Sequence, residues 1–104
     1  MKVTAKAKAQ QIIDLYNETC GDQLAKAIAL NPKRQRQIEN VCKITLSNGK
    51  APFANYNLKA WHAYFDLILE NKWNVGENPS SWKADIDYVI RPDTVIKTLE
   101  RKYA

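Results

Sequence analysis

One stretch of this sequence constrains the fold more than any other. Between Asn57 and Asn71, the residues Leu58, Trp61, Phe65, Ile68 and Leu69 recur at the helical period, and Tyr64 widens the stripe. A stripe that broad and apolar has to be covered by other elements. The segment therefore reads as the central helix of a bundle, with Asn57 as its cap.

The rest of the chain supplies partners of the same kind. From about Thr4 to Thr19 the sequence is rich in Ala, Lys and Gln, which favour helix, and Ile12, Ile13, Leu15 and Tyr16 form a narrow stripe. Cys20-Gly21-Asp22 ends it, with Gly21 suited to a left-handed cap. Gln23 to Leu30 reads as an extended or short helical connection. Asn31-Pro32 is a start signal, because Asn caps free N–H groups and Pro suits the first helical position. The helix that follows is predicted over about Pro32 to Leu46, burying Ile38, Val41, Cys42, Thr45 and Leu46. Ser47 to Pro52 is loop, and Asn48-Gly49 is also a hairpin signal. Lys43 to Leu46 alternates as a strand would, but the helical period fits the longer window better.

After a loop over Lys72 to Ser80, a short helix capped by Ser80 or Ser81 is expected to turn Trp82, Ile86, Val89 and Ile90 inward. Arg91-Pro92 breaks it. A last helix then starts at Asp93 or Thr94, with Val95, Ile96, Leu99 and Tyr103 on its stripe. The expected fold is a small all-α, single-core bundle of four or five helices. With 104 residues, 45% of them apolar, it forms one domain over residues 1–104, with residues 1–10 a basic N-terminal stretch.

Several function classes drop out. The two cysteines, Cys20 and Cys42, form neither a CxxC pair nor a Cys/His cluster, so a zinc ribbon or finger is excluded. They read as small core thiols in a reducing compartment. No apolar run reaches signal-peptide or membrane-spanning length, so no membrane partner is expected. His62 is the only histidine, and three scattered glycines cannot form a phosphate-cradling loop. Asp85 and Asp87, two apart, would diverge on a helix and make no acid/base pair. No enzyme activity, cofactor, metal or small-molecule substrate is expected.

What remains is charge and aromatic surface. Residues 1–52 hold nine cations against four carboxylates, a surplus of five, while residues 53–104 hold seven of each. The whole net charge of +5 lies in the first half, which suggests an anionic partner met by one side of the domain. Lys33, Arg34 and Arg36 crowd the start of the second helix, the wrong end for the macrodipole but a good place for a bound anion. They are the first candidates for phosphate contact, joined by Lys6 and Lys43; a solvated helix face would look similar. Lys2 and Lys8 extend the same basic stretch. Trp73, Tyr56 and Phe53 fall in loops or at helix ends and are free to bind, whereas Trp61, Phe65, Trp82 and Tyr103 read as core.

Several short blocks also resemble a known family. Tyr16-Asn17-Glu18 is followed by Leu30-Asn31-Pro32-Lys33-Arg34 with Ile38. The tail then reads Trp82-Lys83-Ala84-Asp85-Ile86-Asp87-Tyr88, Arg91-Pro92-Asp93-Thr94-Val95 and Leu99-Glu100-Arg101-Lys102-Tyr103. In this order they resemble the C-terminal module of phage and prophage replication proteins, the replisome organisers related to DnaD and DnaT. The pattern departs at Tyr88, Thr94 and Arg101, where that family has Trp, Asn and Gly. The resemblance implies a non-enzymatic role in DNA replication in a bacterial cytoplasm, through single-stranded DNA, a replicative helicase or a helicase loader. In that family a winged-helix domain normally precedes the module, so origin recognition is not expected of the module alone. The charge-balanced second half suits a protein partner, with Trp73, Lys83, Arg101 and Lys102 as candidate contacts. The alternative is a module that binds, or inhibits, a host helicase or loader without touching DNA.

Overall fold

The computed structural model describes residues 4–103; the side chains of Lys102 and Tyr103 lie outside the described residues, as does Lys2. Five α-helices make up the fold: α1 (Ala5–Cys20), α2 (Pro32–Cys42), α3 (Leu58–Glu70), α4 (Ile86–Val89) and α5 (Pro92–Tyr103). Among the described residues there is no β-strand, only an isolated antiparallel bridge between Val75 and Lys83. The all-α bundle expected from the sequence is the fold observed.

The central helix is α3. Trp61, Tyr64, Phe65 and Ile68 are at most 1% exposed. They share one core with Ala9, Ile12, Ile13 and Tyr16 of α1, Ile38 and Val41 of α2, Val89 of α4, its cap residue Ile90, and Val95 of α5. Tyr64 also donates its hydroxyl to the Val89 carbonyl, tying α3 to α4. Phe53, expected to be free, is instead core. Its ring centroid lies 5.1 Å from that of Trp61 and 6.0 Å from that of Tyr64.

The first three helices start on side-chain caps. The Thr4 hydroxyl accepts from the Ala7 N–H, the Asn31 side chain from the Arg34 N–H, and the Asn57 side chain from the Lys59 and Ala60 N–H groups. Their ends need more correction. Gly21 is right-handed (φ −65°), not left-handed; glycine is needed because a Cβ there would collide with the Asn17 carbonyl oxygen. Helix α2 stops at Cys42 rather than Leu46, because a turn takes over: Gly49 N–H bonds the Leu46 carbonyl and Leu46 N–H bonds the Lys50 carbonyl. Thr45 is accordingly exposed.

The connection over residues 24–30 is extended. Tyr16 donates its hydroxyl to the Ala25 carbonyl at 2.9 Å. The Asn17 amide donates to the Ala27 carbonyl at 2.8 Å and accepts from the Ala27 N–H at 2.7 Å. Helix α4 is only one turn and is capped by Asp85, not by Ser80 or Ser81. Trp82 therefore precedes the helix and is 38% exposed, its ring edge-on to Tyr88 at 5.0 Å. Leu58 and Ile96, expected inside, are also exposed. Pro92 is the first residue of α5.

Candidate nucleic-acid interface

Helix α2 sorts its cations by face. Lys33, Arg36, Asn40 and Lys43 are all exposed and recur at i, i+3, i+7 and i+10. They form one stripe along the outer edge of the helix, Lys43 being its cap residue. Glu39, three residues after Arg36 and four before Lys43, flanks the stripe at its C-terminal end. At 1.5 Å rise per residue its outermost cations are about 15 Å apart along the axis.

Arg34 is not part of that stripe. Its Nε and Nη2 donate to the two carboxylate oxygens of Asp87 at 3.0 and 3.2 Å. Its Nη1 donates to the Ala29 carbonyl at 2.7 Å. The planar fork thus joins α2, the extended connection and α4. The hydrogen bonds from Arg34 hold the Asp87 carboxyl below its ordinary value, against the opposing effect of its burial.

The other end of α2 opens into a groove of about 500 Å³. Glu39, Cys42 and Lys43 form one wall, Lys8 of α1 and the 3₁₀ turn Ala54–Tyr56 the other. The turn exists because Phe53 is anchored in the core and Asn57 caps α3, leaving three residues to reverse the chain. Asn55 and Tyr56 pass it at φ +58° and +54°. Asn tolerates that region, but a tyrosine there costs about 1–3 kcal/mol. The strain places the half-buried Tyr56 ring on the groove, with the Lys8 ammonium 5.9 Å from its centroid. Glu39, the acid in the groove, accepts from the Gln35 side-chain amide at 3.1 Å. Burial pushes the Cys42 thiol above its ordinary value, so it is a neutral part of the wall.

The structure thus groups Lys33, Arg36 and Lys43, adds Lys8, and turns Arg34 inward. Lys6 is exposed on α1, but two residues from Lys8 means about 200° around the helix, so it faces elsewhere. Lys8 and Tyr56 carry no periodic signal; only the packing of α1 against α2 and the turn brings them together.

A second exposed surface lies on the loop between α3 and α4. Asn78 organises it: its amide nitrogen donates to the Trp73 and Trp82 carbonyls at 2.9 and 2.7 Å. Its oxygen accepts from the Ser80 hydroxyl and the N–H groups of Ser80 and Trp82. The loop presents Trp73, 54% exposed, and Trp82, 38% exposed. Lys83 follows in the same loop, its stem packed over Gly76. Arg101 lies apart, in a groove of about 430 Å³ between α3 and α5 with Arg91, Lys97, Glu70 and Asp93. The Lys102 side chain lies outside the described residues. Asn78 was visible in the sequence only as a loop residue; its Asn-Pro dipeptide is the signal that marks a turn organiser.

Among the described residues, no three His, Cys, Asp or Glu side chains come together to hold a metal ion. His62 sits exposed on α3, its Nδ1 3.4 Å from Asp66. Both cysteines are free, and burial pushes the Cys20 thiol up to about 12. No helix is long and apolar enough to cross a membrane.

The comparison with known proteins adds one relative. The chain is similar to the DNA replication protein gp18 of Salmonella phage P22, with 27% identity over 97 residues. The match covers 91% of this chain and 33% of that protein, so the chain spans about a third of its relative's length. No family model matches the chain, and no solved structure matches it.

Proposed function

We propose that this chain is a phage DNA-replication module that holds single-stranded DNA along the outer edge of α2. The observation that carries the reading is the exposed stripe of Lys33, Arg36 and Lys43, three cations with Glu39 alone beside them on α2. Phosphate contacts from Lys and Arg supply sequence-independent affinity, and among the described residues none of these three cations is held in a salt bridge. The similarity to a phage DNA replication protein supports the setting. The test is a fluorescence-anisotropy titration with a labelled single-stranded oligonucleotide. Lys33→Glu with Arg36→Glu and Lys43→Glu should weaken binding at least tenfold, and unchanged affinity would overturn the reading.

A second reading is favoured by a different observation, the two exposed tryptophans held by Asn78. Exposed aromatic side chains on an ordered loop suit a protein partner. The partner that fits the replication setting is a replicative helicase or helicase loader. Pull-down from host lysate should recover a replication ATPase with the wild-type chain and lose it with Trp73→Ser. Recovery by both chains would count against this surface.

A further inference from the structure

We infer that Tyr56 is a stacking platform for one unpaired nucleobase, at the end of the α2 phosphate track. This inference rests on the DNA-binding reading above and adds to it a base site and a strand preference. Lys43 carries the connection, because it is both the last cation of the α2 stripe and a wall of the groove. A strand following Lys33, Arg36 and Lys43 is delivered to the groove, where Lys8 supplies a further cation.

At that point the floor is an aromatic ring. Tyr56 packs partly against the core, and the rest of it lines the groove. Two successive left-handed residues, neither of them glycine, hold it there. The turn is pinned on both sides, by the Phe53 ring in the core and by the Asn57 cap, so the platform is fixed before a ligand arrives. A nucleobase has the flat π-face that such a ring accepts; it would take the place of the Lys8 ammonium, which sits over the ring in the free protein and would turn with Lys43 to the adjoining phosphates. In duplex DNA the base faces are already stacked. The site therefore selects for single strands. Glu39 opposes the approach of a polyanion, and the two lysines outnumber it.

The experiment uses the intact chain and fluorescein-labelled oligodeoxythymidylate, with a base-paired hairpin of equal charge as the comparison. Wild-type protein should prefer the single strand. Tyr56→Phe should keep that preference, and Tyr56→Leu should lose roughly tenfold in single-strand affinity while hairpin binding stays the same. A second arm needs no variant: an oligomer of abasic sugar phosphates should bind the wild type roughly tenfold more weakly than oligodeoxythymidylate. Equal affinity for the abasic and thymidylate strands overturns the platform, even where the charge-reversed α2 variant still weakens binding. Loss of all oligonucleotide binding by the wild type overturns the DNA reading itself.

Discussion

Arg34 illustrates what a residue's neighbours decide. In the sequence it is one of three cations in a four-residue run. In the structure its side chain is 17% exposed and bidentate to Asp87, 53 positions away. Helical spacing sets it apart from Lys33 and Arg36, since it stands four residues before the buried Ile38, but the partner that claims it comes from another helix and carries no local signal. A charge reversal at Arg34 would set a carboxylate against Asp87 and damage the fold, so it is a poor probe of DNA contact. The pair gives a pH prediction. Arg34 lowers the Asp87 carboxyl in the folded state. The stabilisation is therefore complete above the unfolded value of about 3.9 and is lost as pH falls through the lowered one. Asp87→Asn should cost about 1 kcal/mol at pH 7, since Asp87 is half-exposed. In thermal melts the gap between the two chains should stay constant from pH 7 to about 5 and close below about 4. A gap that persists at low pH would mean that the amide disturbs packing rather than charge.

At the scale of elements, the starts of α2 and α3 are legible, while the cap of α4 and the end of α2 are not. Asn31-Pro32 and Asn57 cap α2 and α3 as read, because a cap is a local bond between a side chain and the next turn. The end of α2 was misplaced by four residues because the turn over Leu46 to Lys50 competes with further helix. The irregular segment over residues 25–30 has no periodicity of its own. It is fixed by Tyr16, Asn17 and Arg34, which bond its backbone from outside. Asn17 makes two of those bonds, and both lie partly out of water. Asn17→Ala should therefore cost about 2 kcal/mol in urea denaturation. It should also speed hydrogen exchange of the Ala27 amide more than that of amides inside α3. Uniform acceleration would show that the segment opens only with the whole domain. The loop over residues 72–83 makes a parallel case. Asn78→Ala should speed exchange at the Ser80 and Trp82 amides, which bond its side chain. Exchange in α1 and α3 should stay unchanged, and unaltered loop amides would mean that Asn78 does not order the loop.

For the whole molecule, the division of charge takes on a spatial form. The surplus of the first half does not spread over one face: Arg34 is neutralised by the second half, Lys6 points away, and Lys33, Arg36, Lys43 and Lys8 form a track. The second half offsets most of its charge even where cations gather, since Arg91, Lys97 and Arg101 share their groove with Glu70 and Asp93. Counterion release distinguishes these two surfaces. Four phosphate contacts on single-stranded DNA give a slope of about −3 for log affinity against log salt. Raising salt from about 50 to 200 mM should then weaken wild-type binding roughly fifty-fold. Replacing Lys33, Arg36 and Lys43 by glutamate leaves Lys8 alone on the track and should bring the slope to about −0.7. If the variant binds with the wild-type slope, the strand lies on the groove between α3 and α5 instead. In that case Lys97→Glu with Arg101→Glu would flatten the slope, and the α2 stripe would be only a solvated helix face.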